Sequence, residues 1–295
     1  METSEVGSRF ERHRRHLIGL AYRMLGSYAE AEDVVQDAFL RFQAADSASV
    51  LDARSYLSKT VARLCLDRLK SARAQRETYV GTWLPEPIID DQGLSPDTAR
   101  ELADELSFAL LLTLERLSPL ERTAFLLHDV FDMDFPAVAE VLERSEPACR
   151  KLADRARAHV QEARPRFERS PADEARLVAA FIDATRSGDV DGFAKLLAED
   201  AVLYTDGGGK RRAALNPILG RERILRFLAG VARRADAPVI RGMYPRQVNQ
   251  LPGFVVDYGG GEFAMVAMES HAGVITTVYL VANPDKLKHL APPTN

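Results

Sequence analysis

The chain has 295 residues, a formal net charge of −4, and 46% hydrophobic and 28% charged residues. That length points to two or three modules rather than one core, and the balance is that of a water-soluble globular protein. The net acidity excludes a uniformly basic nucleic-acid binder, no apolar run approaches the roughly 20 residues of a membrane helix, and METSEVGSRFERHRRH lacks the apolar stretch of a secretory signal.

A cytoplasmic setting is therefore expected, with Cys65 and Cys149 as buried reduced thiols, since neither has a second Cys or a His at metal spacing. Residues 8–76 read as helix. Leu17, Leu20, Ala21, Met24 and Leu25 recur at helical spacing, as do Ala31, Val34, Val35, Ala38, Phe39 and Phe42, then Tyr56, Leu57, Val61, Leu64 and Leu66. Gly26-Ser27 separates the first two helices. Residues 77–98 read as a linker, with Pro85, Pro87 and Pro96 beside Gly81 and Gly93. It is acidic, at Asp90 and Asp91 especially, yet it holds the single Trp of the chain, Trp83, which is expected to dock on a folded surface.

Helix returns over residues 99–168. Ser118-Pro119 with Glu121 marks a helix start. DFPAVAEVLERS and EPACRKLADRARAHVQEARPR then read as two helices joined by a tight turn, with Ser145 as the cap of the second. Ala148, Leu152 and Ala156 are expected to face inward. Arg150, Lys151 and Arg157, with Arg144 beside them, leave a basic outer face suited to DNA.

From residue 172 the texture becomes α+β. A helix over 174–198, turning at Ser187-Gly188, precedes a strand at 201–205, a glycine-rich turn and a helix over 221–233. Strands are expected at 238–248, 254–258, 262–269 and 274–281, parted by turns at Pro252-Gly253, Gly259–Gly261 and Ala272-Gly273. The turn TDGGGKRRA looks like a phosphate cradle but does not have the pattern of one: its glycines are contiguous, Arg211 stands where a hydroxyl should hold magnesium, and Asn216-Pro217 interrupts any following helix. No cofactor, metal or catalytic residue is assigned.

YAEAEDVVQDAFLRF, ARSYLSKTVARLCLDRLKSARAQR and LSPLERTAFLLHDVFDMDFPAVAEVLERSEPACRKLADRAR resemble, in that order, regions 2 and 4 of the extracytoplasmic-function sigma factors of bacterial RNA polymerase. The third block resembles a SnoaL-like domain of the NTF2 fold. WLPEP at 83–87, DGGGK at 206–210 and NPDKL at 283–287 mark the SigJ-like subgroup that carries such an extension. The resemblance implies two all-α sigma domains, a helical bundle at 8–76 and a helix-turn-helix module at 99–168, followed by an α+β cone domain at 172–287.

It further implies that Asp33, Gln36 and Asp37 grip the β-prime coiled coil of core polymerase, with the β flap as a second contact. Arg63, Asp67, Arg68, Lys70 and Arg73 would face the −10 element. Ser145, Arg150, Lys151 and Arg157 would face the −35 element, Arg150 toward a base and Lys151 toward phosphate. Trp83, Leu84, Pro85, Glu86, Pro87, Asp206, Gly207, Gly208, Gly209, Lys210, Asn283, Pro284, Asp285, Lys286 and Leu287 would form a regulatory contact that replaces a separate anti-sigma factor. Within it, Lys210, Arg211 and Arg212 are expected to meet Glu86, Asp90 and Asp91. The alternative is that the third domain senses a small apolar ligand, or is an isomerase or cyclase fused to a DNA-binding module. Asp183, Asp257, Glu262, Glu269 and His271 are its candidate acid–base groups.

Overall fold

The computed structural model describes residues 2–45, 50–76, 79–89, 108–162, 171–235, 238–288 and 290. The chain forms two compact units, Met1–Thr78 with Phe108–Pro165, and Tyr79–Ser107 with Arg166–Asn295.

The first unit is all helix: α1 (Glu2–Leu25), α2 (Tyr28–Ala44), α3 (Ala53–Arg76), α4 (Phe108–Arg116), α5 (Pro119–Phe125), α6 (Phe135–Leu142) and α7 (Glu146–Glu162). Gly26, at φ 69°, ends α1, and its N–H donates to the Tyr22 carbonyl at 2.7 Å. Ser27 then caps α2 by accepting from the Glu30 N–H, so one dipeptide closes a helix and opens the next. The stripes read from the sequence on α1 and α2 are buried, except that Phe39 is only half-covered; on α3, Leu57, Val61, Ala62, Cys65, Leu66 and Leu69 are buried. Ser118 and Glu121 form a reciprocal capping box at the start of α5. Asp134 caps α6 and accepts from the Ala137 N–H at 2.9 Å. Glu143, in the left-handed region at φ 54°, makes the turn into α7.

One expectation on α7 is corrected. The inward stripe is Cys149, Ala153, Ala156 and Val160, while Ala148 and Leu152 are only half-covered. The helix is rotated by about one residue from the sequence reading, because Cys149 serves as a small apolar side chain against α6. Both thiols are buried and unbridged.

The second unit contains α8 (Pro171–Ser187), α9 (Val190–Leu196), β1 (Leu197–Asp206), β2 (Ile218–Leu219), α10 (Arg221–Ala232), β3 (Gly242–Val248), β4 (Leu251–Gly259), β5 (Glu262–His271), β6 (Val274–Val281) and a single 3-10 turn, Pro284–Lys286. Its sheet has the order β2-β1-β6-β5-β4-β3. β3 to β6 form an antiparallel meander, and β1 joins β6 in parallel, Tyr204 opposite Tyr279. One sheet face buries Phe254, Val256, Ala264, Val266 and Val278 against Val178, Phe181 and Ile182 of α8, Phe193 of α9 and Ile224 of α10. This is the α+β module expected from residue 172 onward, one six-stranded sheet with helices packed on a face.

Several boundaries differ from the sequence reading. The strand expected at 238–248 begins at Gly242. The helix expected over 174–198 breaks at Ser187-Gly188, as read, but the strand is already under way at Leu197. Gly188 adopts φ 68°, and the Asp189 side chain caps α9 by accepting from the Gly192 N–H at 2.9 Å. Pro252-Gly253 is not a turn but part of β4. The reversal lies at Asn249-Gln250, with φ 46° and 62°, a conformation Asn tolerates. Gly253 is required for another reason: a Cβ there would sit 2.2 Å from the Val266 carbonyl on β5.

Candidate nucleic-acid interface and linker clasp

The candidate polymerase-facing acids lie on the outer side of α2. Asp33, Gln36 and Asp37 are exposed, but the carboxylates are not alone. Arg68 of α3 pairs with Asp37 at 3.5 Å and Asp33 at 3.9 Å, and donates to the Glu30 carbonyl at 3.2 Å. Arg68 thus ties α3 to α2. Asp67 and Lys70 are exposed and pair with each other at 3.5 Å. Arg63 donates to Glu140 Oε1 at 3.1 Å. The side chain of Arg73 lies outside the described residues.

On α7, Arg150 and Lys151 project outward. Arg150 stacks over the Phe135 ring at 4.3 Å and pairs with Glu146 at 3.3 Å. Ser145 is exposed, and its carbonyl accepts from the Cys149 N–H. Arg157 is held at 2.6 Å from Asp129 and 2.5 Å from Asp154. These pairs brace α7 against the π-helical segment Leu126–Val130 that follows α5, with the Arg157 side chain still 32% exposed.

In the second unit, the three marked stretches converge on Asp206. This carboxylate is wholly excluded from water. Oδ1 accepts from the Tyr79 hydroxyl at 2.5 Å and the Gly208 N–H at 3.0 Å. Oδ2 accepts from the Leu84 N–H at 2.9 Å and Lys286 Nζ at 2.7 Å. A buried carboxylate is tolerable only when donors surround it in this way. Burial, and then the bond to Asp206, push the Tyr79 phenol up from its ordinary value. Asn283 Nδ2 donates to the Tyr79 oxygen at 3.0 Å, while its Oδ1 accepts from the Asp285 N–H. Lys286 also donates to the Leu84 carbonyl and lies over the rings of Trp83 at 4.3 Å and Tyr79 at 5.2 Å. Leu84, Pro85, Glu86 and Pro87 are buried. Beyond them, Ile88 and Asn249 exchange two hydrogen bonds of 2.9 Å.

This geometry explains the glycines. A Cβ on Gly207 would lie 2.0 Å from the Arg211 carbonyl, and one on Gly208 2.3 Å from Asn283 Nδ2. Gly208 and Gly209 are left-handed, at φ 59° and 70°. The expected charge pairing is corrected: Lys210 pairs with Asp285 at 2.5 Å, and Arg211 pairs with Glu262. Among the described residues, the acid of the stretch meets the linker, because a carboxylate can collect backbone and hydroxyl donors. Asp90 and Asp91 lie outside the described residues. Tyr79 and Asn249 were missed by the sequence reading; their only signals were a Tyr just ahead of WLPEP and an Asn at an unrecognised reversal.

The same unit contains a cavity of about 280 Å³ lined almost wholly by apolar side chains, among them Phe181, Leu203, Leu228, Met243, Val256 and Leu280. None of Asp183, Asp257, Glu262, Glu269 and His271 lines it. Glu269 accepts from the Tyr279 hydroxyl at 3.1 Å, and Asp257 from the Gly259 N–H at 2.6 Å. Among the described residues no helix is long and apolar enough to cross a membrane.

The helical module with its polar, acid-bearing face and the helix-turn-helix that follows it each match a known family. Residues 9–75 match Sigma-70 region 2, and residues 107–160 match Sigma-70, region 4. The chain is 38% identical over 297 residues to the ECF RNA polymerase sigma factor SigJ of Mycobacterium tuberculosis (strain ATCC 25618 / H37Rv), covering 97% of this chain and 93% of that relative. It is 31% identical over 291 residues to the probable ECF RNA polymerase sigma factor SigI of the same strain, covering 97% and 96%. The crystal structure of Mycobacterium tuberculosis SigJ matches with a TM-score of 0.75 at 35% identity, over 96% of this chain and 98% of that one. The chain belongs to the extracytoplasmic-function sigma factors of RNA polymerase.

Proposed function

We propose that this sigma factor joins core RNA polymerase, directs it to promoters in the cytoplasm, and carries its regulator in its own C-terminal module. In this reading residues 8–76 engage the polymerase and the −10 element, 77–98 connect, 99–168 engage the −35 element, and 172–287 regulate. Asp33, Gln36 and Asp37 face the β-prime coiled coil, and the helix-turn-helix module faces the β flap. Arg63, Asp67, Lys70 and Arg73 face the opened −10 strand, with Arg68 bracing α3. Ser145, Arg150 and Lys151 face the −35 groove.

The observation that carries the regulatory part is the buried Asp206 carboxylate, held by Tyr79, Leu84 and Lys286. A charge buried this deeply costs several kcal/mol unless every donor stays in place. The segment that leaves region 2 is therefore fixed rather than slack, and no separate anti-sigma factor is needed to restrain it. Run-off transcription tests this with the full chain, chains ending near 282 and near 205, and Asp206→Asn. Altered promoter output in the truncated and substituted chains is expected; unchanged output in all of them removes the regulatory role.

The cavity favours a second role for the same module, as a receptor for a small neutral apolar ligand rather than as an enzyme. Its walls offer apolar contact area; the acid among them is Asp189, which caps α9, while the candidate acids and His271 lie elsewhere. A thermal-shift screen against uncharged metabolites tests it: a ligand that binds the folded form raises Tm.

A further inference from the structure

Regions 2 and 4 lie in one compact unit and meet through three sets of side chains. Phe131 sits between two residues of α1, with the His16 ring edge-on at 4.9 Å and the Arg23 guanidinium at 5.2 Å. Arg122 of α5, 3% exposed, donates to the Met24 carbonyl at 2.6 Å and to Glu115 at 2.9 Å. The third set is different in kind. Glu140, on the first helix of the helix-turn-helix, accepts from both Lys59 and Arg63 of α3. Arg63 also donates to the Glu140 backbone carbonyl at 3.2 Å.

The first two sets combine the buried guanidinium groups of Arg23 and Arg122 with the half-buried rings of His16 and Phe131. Glu140 keeps a half-exposed side chain, and a pair of that kind contributes little to stability. Its effect is on availability. Lys59 retains 22% of its side-chain exposure, and its ammonium is already paired with the Glu140 carboxylate. Arg63 has both a carboxylate and a carbonyl oxygen as acceptors. A carboxylate presented to an ammonium and a guanidinium offers what a backbone phosphate offers: anionic oxygens at charge-assisted hydrogen-bonding distance. The Lys59 bond is the chief cause that holds the Glu140 carboxyl below its ordinary range.

We propose that Glu140 is an internal competitor for DNA: in the closed pairing of regions 2 and 4 it occupies Lys59 and Arg63, and these cations are released to a DNA strand only when region 4 leaves α3. Lys59 thereby joins the DNA-facing set. The closure stands on the contacts above; its consequence for DNA rests on reading α3 as promoter-facing.

The test uses the full-length chain with Ser55→Cys on α3 and Ala137→Cys on α6, which line one cleft, joined by a cleavable bis-maleimide. Cys65 and Cys149 are buried and so protected from the reagent. Promoter-directed transcription with core polymerase, on a template selected from a randomised library by the unsubstituted protein, is expected to fall at least about tenfold in the bridged chain and to return on reduction. Equal output from bridged and reduced chains overturns the proposal. In a second arm, Glu140→Gln in the uncrosslinked chain is expected to bind a short fluorescein-labelled single-stranded oligonucleotide about threefold or more tightly at low salt, a gain that Arg63→Ala abolishes. No gain with Glu140→Gln overturns the competitor. If Arg63→Ala alone leaves promoter output intact, the promoter-facing reading of α3 fails, while the bridged arm still reports the closure.

Discussion

Lys286 Nζ lies 2.7 Å from Asp206 Oδ2, eighty residues earlier in the chain, and the carboxylate has no contact with solvent. Asp206→Ala leaves the ammonium without its anion and the Leu84 N–H and Tyr79 hydroxyl without their acceptor. Removing one member of a buried pair costs about 3–5 kcal/mol. Urea unfolding followed through Trp83 emission, with no other Trp to interfere, is expected to show that loss, with Asp206→Asn intermediate. A loss below about 1 kcal/mol would mean the clasp does not hold the linker.

The glycines should rank by what a methyl group would strike. Gly207→Ala and Gly208→Ala place Cβ 2.0 Å from a backbone carbonyl and 2.3 Å from the Asn283 amide. Gly260→Ala, at φ 66° with open space around it, bears only the backbone penalty of about 1 kcal/mol. Thermal melts should place Gly207 and Gly208 well below Gly260, with Gly209→Ala nearer to Gly260 because its nearest neighbour, Val80, is 3.4 Å away.

His16 gives the first unit a pH dependence. Burial, and then Arg54, His13 and Arg23, lower its pKa to about 4, while the Ser58 hydroxyl lies 3.2 Å from its Nε2. In the unfolded chain the ring titrates near its ordinary 6.5. Between those values the unfolded state binds the extra proton, so stability falls as pH drops from about 6.5 toward 4. With the ring partly open to solvent the loss is discounted to about 1–2 kcal/mol. His16→Gln should flatten this part of the pH profile in urea titrations; an unchanged slope would assign it to other groups.

On α7, Lys151 and Arg150 should separate in their effects. Lys151→Ala is expected to weaken promoter binding by holoenzyme across sequences and to reduce the salt slope by about 1. Arg150→Ala should relax preference at one −35 position by about 1–3 kcal/mol. A purely uniform loss with Arg150→Ala would make it a phosphate contact instead.

The helix-turn-helix was legible because its signals are local. Asp134 caps one helix, Pro147 opens the next, and the apolar stripes repeat at helical spacing, so only the rotation of α7 by one residue was misjudged. The cone was less so. A glycine before a proline-marked strand reads as a turn, and nothing nearby in sequence says that Gly253 is small because Val266 approaches it from β5. The partnership of DGGGK with WLPEP came from resemblance, and the reading put its weight on Lys210, which pairs with Asp285, whereas Asp206 meets Tyr79 and Leu84.

By itself the sequence determined the helices of both sigma modules over the described residues (99–107 and 163–168 lie outside them), the change to α+β near residue 172, and the positive outer face of α7, because caps, periodicity and charge act over a few residues. The tertiary structure decided which charges pair with one another. Arg68 closes on Asp33 and Asp37, Arg157 on Asp129, Arg63 on Glu140, and Lys286 on Asp206. Each pair joins residues distant in the chain, and burial rather than residue type sets its strength; no reading of neighbouring residues contains that information.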